Sequence, residues 1–122
     1  VLKAQMKALE SIKAGDTLKT ADAYSRNYIE SAIQSGCYDY GLGHGIGRTV
    51  HEKPRLHPSG LDILRENTVV TVEPGIYIKD WGGIRIEDML VVSKGKGRVL
   101  TKAPKDLIII QWFYIVSKTF RL

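Results

Sequence analysis

The sequence predicts an α+β fold in which two helices pack on an antiparallel β-sheet. Three observations carry this expectation. Two stretches of helical apolar spacing precede residue 36, a glycine-rich segment follows at 41–47, and short β-favouring runs separated by turn signals fill 68–101. The 122 residues suit one domain or part of one, and 43% hydrophobic with 25% charged is an ordinary globular composition. No internal repeat or low-complexity segment interrupts it.

The elements follow in order. Leu2, Met6, Leu9 and Ile12 recur at helical spacing over 2–13, and Ala14-Gly15-Asp16 ends the pattern. A second helix is expected over 20–35. Thr20 is placed to cap it, Asp22 falls in the favourable first turn, Tyr28, Ile29, Ala32 and Ile33 form the apolar stripe, and Gly36 closes it. A glycine loop comes next. Strands are then expected at 68–73, 75–80, 83–93 and 97–101, separated by turns such as Asp80-Trp81-Gly82-Gly83 and Lys94-Gly95-Lys96-Gly97.

Composition narrows the function classes. The net charge of +5 is spread over scattered lysines (Lys3, Lys7, Lys13, Lys19, Lys53, Lys79, Lys94, Lys96) with no basic run and no interleaved aromatics. That pattern describes a solvated surface, and no nucleic-acid partner is expected. The single cysteine, Cys37, allows no internal disulfide, so a reducing, cytoplasmic setting is expected. Neither a secretory leader nor a membrane span is expected, because the most apolar stretch, 107–116, is too short and carries Gln111.

Chemistry concentrates in "GLGHGIGRTVHEKPRL", residues 41–56. The glycines do not fit a dinucleotide loop, since Gly41-x-Gly43 leads to Ile46 and Gly43-x-Gly45 to Arg48. No Gly-Lys-Ser/Thr follows for a phosphate loop. His51-Glu52 runs into Lys53 and Pro54, with Arg55 where a helical zinc pair would need its second histidine. What remains is a backbone that passes close to something His44 or His51 must touch.

The strand carboxylates are the second feature. Alternation through "VVTVEPGIY" puts Val70 and Val72 on one face and Thr71 and Glu73 on the other; Pro74 marks the strand's end. In "GIRIED", Ile84 and Ile86 share a face opposite Arg85 and Glu87. A carboxylate buried in an apolar strand needs a cation to meet it. Two readings of each residue stand side by side. His44 is either a loop histidine or a ligand; Glu73 either pairs with a lysine across the sheet or binds metal; Glu87 either neutralises Arg85 or binds metal. Asp88, on the opposite face from Glu87, is assigned to surface or turn structure, and His57 to solvent. Imidazole and carboxylate donors together suit Mn, Fe, Co or Zn.

The segments "GLGHGIGRTVHEKPRL", "TVVTVEPGIYI" and "GGIRIEDMLVV", in that order, resemble the signature segments of the creatinase/aminopeptidase family of metallopeptidases (M24). The likeness is nearer its Xaa-Pro dipeptidase (prolidase) and aminopeptidase P branch than its methionine aminopeptidases, and covers residues 1–110. It implies the pita-bread fold: two similar halves, each a helix pair on an antiparallel sheet, with a dinuclear metal centre between them. This chain would be the C-terminal half. The resemblance further implies that His44 and Glu73 bind one metal and that Glu87 bridges both, with Mn or Co the expected ions. Glu73 would also shuttle a proton from the nucleophilic water to the departing amine. His51 would hydrogen-bond the scissile carbonyl, and Arg85 would meet the carboxylate of a dipeptide's proline. Tyr40 stands where many prolidase-like members carry a further substrate-lining histidine.

Two of that family's five ligands are aspartates eleven residues apart. The aspartates here, at 16, 22, 39, 62, 80, 88 and 106, contain no such pair. The resemblance thus implies a truncated, inactive portion of a peptidase whose substrate has proline in second position. Self-association or a complementing Asp-bearing half would be its partners. A non-catalytic peptide- or protein-binding module of the same fold is the alternative. Residues 111–122 ("QWFYIVSKTFRL") have no counterpart in that family and form an extra apolar tail.

Overall fold

The computed structural model describes residues 1–33 and 36–110; the expected end of the second helix at 34–35 and the tail at 111–122 lie outside the described residues. Two helices lead the chain, α1 (Leu2–Ser11) and α2 (Leu18–Ala32). The face that α1 buries is turned from the one its large residues suggest. Ala4, Gln5, Ala8 and Leu9 are inside, with Ile12 just past the end, while Met6 is 36% exposed. Alanines at 4 and 8 let α2 approach closely, a packing need that apolar spacing does not weigh.

α2 starts two residues before the expected position, and its cap is Thr17, whose hydroxyl accepts the Thr20 N–H at 3.0 Å. Thr20 is therefore the third helical residue, not the cap. Asp22 is likewise not a first-turn charge facing solvent. It is 1% exposed and faces the protein interior. Residues 60–64 run beside the helix start, where Leu18 N–H donates to Asp62 O and Leu64 N–H to Asp16 O.

Among the described residues seven strands follow: β1 (Gly43–Gly45), β2 (Glu52–Leu56), β3 (Val69–Val72), β4 (Gly75–Ile78), β5 (Gly82–Arg85), β6 (Asp88–Val91) and β7 (Arg98–Val99). Five form an antiparallel sheet in the order β2-β1-β3-β6-β7, and β4 with β5 forms a separate hairpin. Three expectations are corrected here. The glycine segment is a strand inside the sheet, because the glycines that looked like loop residues are what let β1 fit between its neighbours. A Cβ on Gly43 would stand 2.0 Å from Thr71 O, and one on Gly45 would stand 2.3 Å from Lys53 O. Pro54 follows a cis peptide in β2, which is an edge strand and so loses no ladder partner on its outer side.

The run at 83–93 is not one strand but two. The β3–β6 ladder ends at Val72↔Asp88, and pairing resumes at Gly75↔Arg85 in the hairpin. Glu73-Pro74 and Ile86-Glu87 make the break, since proline cannot donate to a ladder. The freed carbonyls are not left bare. Gln5 of α1, fully buried, donates its side-chain amide to Val72 O at 3.1 Å and Ile86 O at 3.0 Å.

Asp88 is the other correction. It is 2% exposed and ion-paired with Lys105, which also donates to Gln5 Oε1 at 3.3 Å. Period-two reasoning placed Asp88 opposite Glu87 correctly, but that opposite face is the interior. The main core lies between the helices and the large sheet and contains Ala8, Leu9, Ile12, Leu18, Ala21, Leu42, Leu56, Val70, Val72 and Leu90. Each large aliphatic side chain buried there contributes about 1.5–3 kcal/mol relative to exposure.

Candidate active site

The site assembles where β1 and β3 lie side by side. His44 sits mid-strand between two glycines, and its N–H donates to Thr71 Oγ1 at 2.9 Å. The Thr71 hydroxyl in turn donates to Glu73 Oε1 at 2.9 Å. Sequence alternation placed Thr71 on the Glu73 face but gave it no role; here it ties the two strands' functional side chains together. Glu73 is 8% exposed and its backbone N–H donates to Leu42 O, so both its main chain and its side chain are fixed.

His44 Nε2 lies 3.0 Å from Glu73 Oε1, and His44 Nδ1 lies 2.9 Å from Gly45 O. A carbonyl can only accept, so Nδ1 carries a proton, and Nε2 is left facing a carboxylate oxygen. A cation or a proton between them is what such an arrangement requires. Committing Nδ1–H to a backbone carbonyl is also how metal-binding histidines are oriented.

Arg85, at the end of β5, reaches back to Glu73 Oε2 at 3.2 Å. Its guanidinium is stacked over Tyr40, 4.4 Å from the ring centroid, and stands 5.7 Å from that of Tyr77. Burial opposes the Arg85 charge, but Tyr40, Glu73 and Tyr77 around it outweigh burial and raise it above its ordinary value. Burial raises the Tyr40 phenol, with Arg85 opposing. Glu73 thus takes neither a lysine nor solvent, and Arg85 pairs with Glu73.

His51 is exposed in the turn after β1, its ring centroid 4.5 Å from that of His44 at an interplanar angle of 66°. Glu52 shapes that turn by accepting the Thr49 N–H at 2.7 Å. A cavity of about 450 Å³ opens onto Tyr40, Gly43, His44, His51, Glu73 and Arg85. Glu87 is exposed and lines an adjoining cavity of about 510 Å³ that shares His44, His51, Glu73 and Arg85. His57 is exposed and hydrogen-bonded to Ser59, yet it too borders the first cavity.

Among the described residues no three His, Cys, Asp or Glu are grouped closely enough to hold a metal ion. The donor types fit a divalent cation and the orientation of His44 suits one, but the donors brought together are two.

The comparisons with known proteins define the class first. The sequence profile of metallopeptidase family M24 matches residues 1–94, and the chain belongs to that family. Within it, the chain is 45% identical over 108 residues to the Xaa-Pro dipeptidase of Pyrococcus horikoshii, a match covering 88% of this chain and 31% of that protein. Its fold superposes on the Xaa-Pro dipeptidase from Bacillus anthracis with a TM-score of 0.87 at 44% identity, over 90% of this chain and 31% of that one. Prolidase from Pyrococcus furiosus gives 0.83 at 39% identity, over 86% and 31%. The fold is α+β, two helices on an antiparallel sheet, as in half of a pita-bread domain. The chain spans about 31% of the length of these relatives. Among the described residues no helix is long and apolar enough to cross a membrane.

Proposed function

We propose that this chain carries the imidazole-and-glutamate side of a metal-dependent peptidase that cleaves dipeptides with proline in second position. The observation that carries the reading is the His44–Glu73 pair, an imidazole nitrogen 3.0 Å from a carboxylate oxygen beside Arg85 on one cavity. Residues 1–110 would be one of the two halves of the catalytic domain.

In this reading His44 Nε2, Glu73 and Glu87 hold divalent metal; the nitrogen and oxygen donors suit Mn, Fe, Co or Zn, and the family resemblance implies Mn or Co. Such ions, when bound, lower the pKa of a water and polarise a carbonyl. Glu73 accepts the proton that the water gives up and passes it to the departing amine nitrogen. Thr71 keeps the Glu73 carboxylate aimed while this happens. His51, exposed at the cavity mouth, donates to the scissile carbonyl oxygen. Arg85 takes the substrate's terminal carboxylate as a two-pronged partner, and Tyr40 packs behind it and forms the wall beside the proline ring.

The 122-residue chain by itself is proposed to be inactive, because its sequence has no pair of aspartates eleven residues apart to supply the family's other two ligands. A second copy or an aspartate-bearing segment would complete the centre, and Cys37 as the only cysteine fits a cytoplasmic setting.

The test is a Co²⁺ or Mn²⁺ titration of the chain, with Glu73→Gln alongside, followed by Ala-Pro and Gly-Pro hydrolysis. Metal binding that Glu73→Gln abolishes, without turnover, is the expected result. Turnover abolished by the same change would show that the chain builds a whole site unaided. Peptide binding with no metal uptake would favour the non-catalytic module, a reading to which the two-donor count also lends weight.

A further inference from the structure

One polar cluster lies outside the cavity and touches nothing that could be substrate. On α2, Asp22 is 1% exposed and pairs with Arg26 through two bonds, Nε to Oδ2 at 2.5 Å and Nη2 to Oδ1 at 3.0 Å. Arg26 does not stop there. Its Nη1 donates to Tyr38 O at 2.8 Å and its Nη2 to Tyr40 O at 2.6 Å, with the guanidinium 4.3 Å from the Tyr38 ring centroid. Asp22 Oδ1 also accepts the Leu42 N–H at 2.9 Å. Residues 38, 40 and 42 are thereby pinned in succession by one helix turn.

The pinned segment feeds the site by two routes. Leu42 donates its N–H to Asp22 and accepts the Glu73 N–H on its carbonyl, at 2.9 and 2.8 Å. One residue therefore stands between the α2 carboxylate and the backbone of Glu73, and His44 is two residues further along the chain. The second route runs through Tyr40, whose carbonyl Arg26 holds and whose ring supports Arg85, the partner of Glu73 Oε2. An ion pair serving only helix stability would not use two of its donors on carbonyls of another segment. Buried pairs are in any case weak sources of net stability.

We propose that Asp22 and Arg26 are positioning residues that set the separation and direction of His44 and Glu73 through the backbone of residues 38–42. The inference rests on His44 and Glu73 being the working pair, and it names what holds them there. Lysine in place of Arg26 keeps a charge for Asp22 but cannot span that carboxylate and two carbonyls at once.

The test is residue-resolved amide hydrogen exchange on the whole chain, wild type against Arg26→Lys, with Ile29→Val as a core control on the same helix. Arg26→Lys should speed exchange at Leu42, His44 and Glu73 by about tenfold or more, while Ile12 and Val92 change only with global stability. Ile29→Val should speed all of them together. Uniform acceleration in Arg26→Lys, or unchanged protection at Leu42 and Glu73, overturns the proposal. Should Arg26→Lys not fold, Asp22→Asn, which keeps an acceptor for Leu42, is judged by the same pattern. A Co²⁺ titration separates the two ideas. If the wild type binds Co²⁺, Arg26→Lys should weaken it roughly tenfold. A wild type that binds none counts against the metal reading, while the exchange pattern still decides the positioning role.

Discussion

Glu73 divides its two carboxylate oxygens between different partners: Oε1 lies 3.0 Å from His44 Nε2, and Oε2 lies 3.2 Å from Arg85 Nη1. The division is enforced from behind by the Thr71 hydroxyl, which donates to Oε1. Replacing Glu73 with Gln keeps the shape but turns one oxygen into a donor, so either Arg85 or the Thr71 hydroxyl loses its acceptor. Because Arg85 is 38% exposed and water can replace the carboxylate there, the cost should sit near 1–2 kcal/mol. Urea unfolding should show a lower midpoint with an unchanged slope. An unchanged midpoint would mean that the carboxylate contributes nothing to holding the site together.

Two glycine-to-alanine changes should behave oppositely. A Cβ at Gly43 would meet the Thr71 carbonyl oxygen at 2.0 Å, and backbone in the middle of a sheet cannot step aside. Gly43→Ala should destabilise by about 3 kcal/mol, the upper end for overpacking. Gly95 has nothing within 4 Å of such an atom and is not held at positive φ. Gly95→Ala should be neutral or gain up to about 1 kcal/mol through a less flexible unfolded chain. Thermal melts of the pair decide it.

The Asp88–Lys105 pair offers a double-mutant cycle. Lys105→Met leaves a carboxylate that is 1% exposed without its cation, a change expected to cost about 3 kcal/mol. Lys105 itself is 30% exposed, which keeps the value at the low end of that range. Adding Asp88→Asn should restore most of the loss, giving a large favourable coupling in the cycle. Additive single effects would mean the contact carries no energy of its own.

Tyrosine ionisation links structure to alkaline stability. Burial raises the phenols of Tyr24, Tyr38 and Tyr40 above the ordinary value of 10.0, Tyr38 the most. A raised value in the folded state means that the fold favours the neutral phenol. Its contribution is complete below pH 10 and is lost as pH climbs through the folded-state value. A spectrophotometric titration should therefore show Tyr38 ionising only together with unfolding. Phenylalanine at position 38 should flatten the fall in stability above pH 10. A Tyr38 phenolate in an otherwise native chain would sink this expectation.

Much of this was legible in the sequence, and the failures have physical causes. Alternation around Val70 and Val72 placed Thr71 and Glu73 together because successive side chains point to opposite faces even in a strand such as β3 that is buried on both. The glycines at 41–47 were read as a loop because glycine usually marks one. In β1 they are present because neighbouring backbone lies too close for any side chain. The Thr20 cap was misplaced by three residues, since threonines at 17 and 20 both offer a capping hydroxyl near the start of the helical pattern. Asp22, Asp88 and Gln5 were undervalued for one shared reason. Each is a polar residue with a partner far away in sequence or on the main chain: Leu42 for Asp22 in addition to its i+4 partner Arg26, Lys105 for Asp88, and the carbonyls of Val72 and Ile86 for Gln5. Local pattern cannot see such partners.

The gap that Gln5 fills has a consequence for how this surface can change over time. The large sheet and the hairpin of β4 and β5 are joined there by a side chain, where a rung of paired backbone would otherwise be. Residues added or lost near Lys79–Trp81, at the far tip of the hairpin, need not propagate a register shift into β3, because no continuous ladder carries one across. The hairpin can lengthen, shorten or change its exposed Ile78, Trp81 and Ile84 while Glu73 keeps its place. Variation in what the rim touches is thus separable from conservation of what the floor does.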